Sequence, residues 1–421
     1  MANSFSKEER VAFEDMLEGF NDALILSRNV SRYPINDTQM ERTGDVIWRP
    51  QPYIALSADG MDQTANFKNY TQLSVPATIG YSKAVPWIMD AKELRDALQE
   101  NRLGDAAKQK LASDINVAVM TVAANQGTLV VKRTAAASGF DDVALCDAIM
   151  NEQGIEAFNR YMALSSRDYN NMASNLAGRG TMQGKPVTAY EKAYVGMVSS
   201  FETYKLDYAN RLTAAAGGGG LTINTLVAGA NYYTPVSTSV AAAGERGNVD
   251  NRYQRVTISS TTNVAAGDCF TIAGVNSVHH ITKGDTGQLK SFRVISVDSA
   301  TTMTISPPII SNQGSTDAEA MYKNVVVTGS ATAAITFLNT VTAAVNPFWH
   351  KDALELLPAR YAVPSDAGTA VMRGTTDQGV ELVFQKFYDI NTMKTKYRVD
   401  TLFGVCNKQP EMTGIILFSQ T

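Results

Sequence analysis

The stretch at residues 90–126 constrains the fold most. Ala107, Leu111, Ile115, Val119 and Val122 recur at steps of three or four, and Leu94 and Leu98 are four apart. That is the spacing of one helix face. Lys92, Arg95, Lys108, Lys110 and Asp114 mark the opposite face, as a solvated or interface side. Gly104 is expected to bend or interrupt the run at ~1 kcal/mol relative to alanine, and Gly127 to stop it. As one rod at ~1.5 Å per residue it would reach roughly 50 Å. Rods of that length set distances, and no cluster of active-site residues lies on this one.

The rest of the chain reads as ordinary globular protein. With 44% hydrophobic and 19% charged residues over 421 positions, it can bury two or three domain cores and is not disordered. The net charge of −4 gives no overall basic signature for nucleic acid. Cys146, Cys269 and Cys406 are far apart, which fits a reducing compartment and speaks against a disulfide framework. The first residues, MANSFSKEERVAFEDML, are charged where a signal peptide would be apolar, and no run approaches the ~18 apolar residues of a membrane span.

In chain order, residues 6–28 form an amphipathic helix with Val11, Phe13, Leu17, Phe20, Leu24 and Ile25 as its stripe. Such a terminal helix docks either on its own domain or on a neighbour. VIWRP at 46–50 is a short strand stopped by proline. Residues 51–75 are polar, with a turn at Asp59 and Gly60. At ~25 residues they are too long for a casual connection, so they are disordered or an extended hairpin partnered by a neighbour. A strand follows at 79–87. After the long helix come a strand at 128–132, a helix at 140–151, a strand at 161–164, and a helix from 165 with Ser165 or Ser166 as N-cap. This is an α/β or α+β pattern.

The character changes at AAAGGGG, residues 214–220, a linker composition. From 221 to about 333 the chain is rich in Thr, Ser, Val, Asn and Gly. Short alternating runs lie at 255–260, 269–273, 292–297, 302–305 and 324–327. They read as a small all-β barrel or sandwich inserted into the first domain, with residues 276–290 as a long exposed loop. Strands at 380–389, 397–403 and 414–418 then complete the first domain's sheet.

Chemistry finds little support. His279 and His280 are adjacent, so a strand would point them to opposite faces, and no cysteine or carboxylate sits at zinc-ligand spacing. RGTMQGK at 179–185 lacks the first glycine and the hydroxyl of a phosphate loop. The Asp141/Asp142 pair suits a helix start. No catalytic residue, cofactor-binding residue, cofactor or metal site is assigned. Trp48, Trp87 and Trp349 read as packing residues.

The order of these elements resembles one family. VIWRP at 46–50, ELRD at 93–96, NVDNR at 248–252, VTI at 256–258, GD at 267–268, IAGV at 272–275, NPFW at 346–349, GVCN at 404–407 and PE at 410–411 carry the likeness. The chain resembles the major capsid (coat) protein of short-tailed lambdoid phages, of the Salmonella/Shigella podovirus type. The resemblance implies an α+β, Hong Kong 97-type capsid fold with an inserted β-barrel. Its parts would be an N-terminal arm (1–33), a strand and extended-loop region (34–88), a spine helix (89–133), a first axial part (134–220), the insert (221–340) and a return (341–421).

It also implies a homo-oligomer of pentamers and hexamers closing an icosahedral shell around double-stranded DNA. The route would be a procapsid built on a scaffolding protein, with a portal protein at one vertex, assembled in the host cytoplasm and expanding on packaging. DNA contact on the inner face would be non-specific. The 51–75 loop would lie on a neighbouring subunit, the arm would reach neighbours and scaffold, and the insert would touch neighbours through its long loop. Subunit-interface candidates are Asp59, Asp62 and Lys68 in the loop, Asp285 and Lys290 in the insert, and Phe13, Leu17 and Phe20 on the arm. The alternative is a bacterial hydrolase or transferase with an accessory β-domain, which would require a clustered titratable site. A β-module adhesin is the third reading, weakened by the charged N-terminus.

Overall fold

The computed structural model of the chain describes residues 5, 7–33, 46–52, 54–90, 97–177, 196–217, 219–223, 232–242, 244–314, 316–327, 332–363 and 369–421. Its contacts divide into two units. The first comprises Met1–Ile47, Ala77–Met120 and Leu354–Cys406, and the second Trp48–Pro76, Thr121–Ala353 and Asn407–Thr421.

In the first unit, helix α1 (Lys7–Ala23) buries Phe13, Met16 and Phe20, three positions at helical spacing. It ends five residues earlier than its periodicity suggests, and a 3₁₀ turn at Leu26–Asn29 follows. α1 lies on a six-stranded sheet. The order is Ser31–Arg32, Leu354–Pro358, Lys394–Asn407, Glu381–Asp389 and Ala370–Thr375, with Tyr81–Asp90 also paired to Lys394–Asn407. Phe384 stacks on Phe5, Phe13, Trp87 and Tyr397 at centroid distances of 5.4, 6.1, 6.0 and 5.8 Å. Gly374 permits this approach, because a Cβ there would lie 2.7 Å from Leu17 Cδ2.

Helix α2 (Ala97–Gln126) is the long helix of the sequence reading. Ala107, Leu111, Ile115, Val119 and Val122 are all buried. Gly104 does not interrupt it, since thirty residues of otherwise good helix formers absorb one glycine. Residues 91–96, including Leu94, lie outside the described residues, and Asp90 belongs to the preceding strand.

In the second unit, a six-stranded sheet runs Leu129–Lys132, Thr413–Leu417, Asn346–His350, Arg160–Ser165, Phe201–Leu206 and Met197–Val198. Helices α3 (Phe140–Glu152) and α4 (Ser166–Ala177) cover it. Val143, Cys146, Met150 and Met172 meet Met162, Leu164, Phe201 and Phe348 in one core. Ser165 caps α4, its hydroxyl accepting from Asp168 N at 3.3 Å.

A five-stranded antiparallel sheet with its own core follows in sequence: Gln254–Thr257, Thr302–Ser306, Asp285–Val297, Cys269–Val278 and Ile335–Phe337. Phe270, Ile272, Phe292, Val294, Met303 and Ile305 fill it. The expected strand at 324–327 is only a single bridge at Val325. Asn324 diverts it: its amide donates to Pro308 O at 2.8 Å, and its carbonyl oxygen accepts from Ile310 N at 3.0 Å. The RGTMQGK run at 179–185 lies outside the described residues.

Candidate assembly surfaces

The polar stretch after the strand Val46–Pro50 returns through the strand Ser74–Thr78, and the two pair as a ribbon. Gln51 N bonds Leu73 O at 2.8 Å, closing its base. The tip is held by its own short-range bonds. Asp62 accepts from Thr64 N at 3.0 Å and from Thr64 Oγ1 at 2.6 Å, which lowers its carboxyl pKa. Asn66 N bonds Gln63 O at 2.8 Å. Asp59, Asp62 and Lys68 are all exposed. So are three large apolar side chains that the sequence reading did not single out: Met61 at 104%, Phe67 at 87% and Tyr70 at 54% relative exposure. Three such side chains within ten residues are unusual on a finished surface.

The expected exposed loop at 276–290 is confined to residues 279–284. Cys269–Val278 and Asp285–Val297 extend through it as a hairpin with a short turn. Asp285 is exposed and accepts from Gly287 N at 2.8 Å. Lys290 is 1% exposed and points inward. Its Nζ lies 2.6 Å from Glu411 Oε1 and donates to Gln153 Oε1 at 3.1 Å. Its polarity therefore marks an internal ion pair rather than a solvated loop.

Neighbouring positions also face the six-stranded sheet. Ser291 Oγ donates to Thr128 O at 2.6 Å, and Arg293 donates to Ala124 O and to Gly127 O, the carbonyls at the C-terminal end of α2. A cation there offsets the negative end of the helix dipole. Burial opposes ionisation of Glu411, but Lys290, His280 and the Asn324 amide overcome it and hold the carboxyl at about 2. His280 sits 3.6 Å from Glu411, and burial outweighs that attraction, lowering its pKa to about 4.

A second exposed feature went unread in the sequence. Thr238–Val240 and Arg246–Asn248 form a two-stranded ribbon whose six residues are all exposed. Ala241 N bonds Glu245 O and Gly244 N bonds Ala241 O, each at 2.8 Å, with Gly244 at φ 85°. The signal was present as a glycine turn between Thr/Ser/Val and Arg/Gly/Asn. On α1, Phe13 and Phe20 are buried in their own unit and Leu17 is half-buried over Gly374, while Val11, Glu14, Asp15 and Glu18 face solvent.

Among the described residues no group of three or more His, Cys, Asp or Glu side chains could hold a metal ion, and no helix is long and apolar enough to cross a membrane. What the structure gathers is a set of projecting, exposed surfaces. Residues 1–419 match the family described as P22 coat protein, gene protein 5. The chain belongs to the P22 coat protein family.

Among solved structures, the coat protein I-domain of CUS-3 is 39% identical over 30% of this chain and 99% of that one, at a TM-score of 0.23. Mycobacterium phage Che8 matches at 10% identity over 93% of this chain and 90% of that one, at 0.44. The capsid of Cyanophage P-SCSP1u matches at 10% identity over 93% and 87%, at 0.43. The P22 coat protein family places this α+β chain among phage capsid proteins of the Hong Kong 97-type fold. It is a structural protein of the virion capsid, built into an oligomeric shell, and not an enzyme. The hydrolase or transferase alternative falls with that membership.

Proposed function

We propose that this chain is the major capsid subunit of a short-tailed phage of the lambdoid type. It assembles as pentamers and hexamers into an icosahedral shell around double-stranded DNA. Assembly runs in the host cytoplasm through a procapsid on a scaffolding protein, with a portal protein at one vertex, and the shell expands as DNA enters. Residues 221–340 act as an inserted domain, and DNA contact is through sequence-independent charge on the inner face.

The observation that carries this reading is the segment at 54–70. It projects Met61, Phe67 and Tyr70 into solvent, beside Asp59, Asp62 and Lys68. A subunit that closes a shell needs exposed surface of this kind for its heterologous contacts. The exposed ribbon Thr238–Val240/Arg246–Asn248 is a second contact of this kind. Electron microscopy of the protein expressed with and without its scaffolding protein tests the reading. Uniform closed shells with scaffold, and open or aberrant ones without it, are expected. Small oligomers under both conditions would refute it.

A further inference from the structure

The extended segment is exposed at its tip and packed at its base. Leu73 is buried in a small apolar cluster with Ile310, Met321 and Tyr322, and Ile54, Leu56 and Tyr233 pack against it. Met321 and Tyr322 come from the short helix α5 (Asp317–Tyr322), which Thr316 caps through a bond from Glu319 N. The Tyr322 hydroxyl donates to Thr71 O at 3.1 Å. Lys283 fixes the far end of α5, donating to Met321 O at 2.6 Å and Lys323 O at 3.2 Å. Ser74 bridges to Asp250, and Gln51 Nε2 bonds Lys408 O at 2.9 Å. From Ser57 to Tyr70 every described residue except Gln63 is exposed. The boundary between packed base and exposed tip is therefore sharp.

We propose that α5 and its apolar cluster are a clamp. They set the direction in which the extended segment leaves its subunit, so that Met61, Phe67 and Tyr70 reach a second copy already aimed. This rests on the reading above, in which that segment contacts a neighbour. A segment loose at its base would have to surrender conformational freedom on docking, whereas a clamped one has surrendered it on folding. The sequence offers a reason for the arrangement. The tip is polar and turn-rich and carries short-range bonds of its own, while the apolar residues that anchor the segment, Ile54, Leu56 and Leu73, sit at the base.

Two variants of the full chain test the clamp, Leu73→Ala and Tyr322→Phe, with Met321→Ala replacing the first if it fails to fold. Hydrogen exchange on the monomer reads the base directly. Leu73→Ala should speed exchange at the Gln51 amide by at least about tenfold, because losing a buried leucine loosens the base by more than the ~1.4 kcal/mol of a tenfold change. Strand Leu129–Lys132 should exchange at the wild-type rate. Scaffold-assisted assembly of the same variant, followed by light scattering, should slow several-fold, with Tyr322→Phe intermediate in both readouts. Unchanged exchange at Gln51 overturns the clamp. Faster exchange with wild-type assembly rate and shell size overturns its role in assembly. Wild-type protein that forms no shells sinks the proposed function instead, and the exchange measurement still decides the clamp.

Discussion

Replacing Lys290 by methionine removes one charge of a buried pair and keeps most of the side-chain volume. Lys290 is 1% exposed, and Glu411, 2.6 Å away, has a side chain only 16% exposed. Holding that carboxyl at about 2 instead of its ordinary 4.5 is worth about 3 kcal/mol at neutral pH. Lys290 is the largest of the groups that depress Glu411, and breaking a buried pair by deleting one partner costs ~3–5 kcal/mol in general.

Urea unfolding of the monomer, read by the fluorescence of buried Trp349, should show a midpoint lowered by roughly 0.5–1 M. The sign of the pH dependence separates this cause from lost packing. Glu411 is depressed in the folded state, so its contribution is full above 4.5 and is lost as pH falls from there through 2. The gap between wild type and Lys290→Met should therefore narrow by about 1 kcal/mol between pH 7 and pH 4. The double variant Lys290→Met/Glu411→Leu should recover most of the loss. A loss below ~1 kcal/mol at pH 7, or one independent of pH, would refute the reasoning.

Three further outcomes are expected. Gly374→Val should undock α1, because its first side-chain carbon would meet Leu17 2.7 Å away; a loss of ~1–3 kcal/mol and faster proteolysis of the first residues would show it. His280, depressed from 6.5 to about 4, is neutral in the folded protein and contributes stability that is full above 6.5 and falls as pH drops through 4. His280→Gln should flatten the stability profile between those values in monomer melts. Met61→Ser/Phe67→Ser/Tyr70→Ser should leave the monomer's unfolding midpoint within ~0.5 kcal/mol of wild type, since all three side chains are exposed, yet block shell formation in scaffold-assisted assembly.

The parts of the fold governed by local pattern were legible. The stripe Ala107, Leu111, Ile115, Val119 and Val122 is the buried face of α2, Ser165 caps α4, and the alternating runs around Phe270, Phe292 and Met303 are strands. Local pattern failed where a polar residue is satisfied from far along the chain. The expected loop at 276–290 ran past its real bounds into Lys290, whose partner Glu411 is 121 positions away. Asn324 breaks an apolar run for the same reason, reaching Pro308 and Glu411. The extended segment was found by its length and polarity. Its exposed apolar residues were not, because a lone Met or Phe in a polar run carries no sign of which way it points.

The most direct test of the account is a cryo-electron microscopy map of the assembled shell at side-chain resolution. The account predicts residues 54–70 of each subunit lying on a second copy, with Met61, Phe67 and Tyr70 buried there and the base still packed on Tyr322. A map in which the segment folds back on its own subunit, or projects into solvent with those three side chains bare, would contradict it.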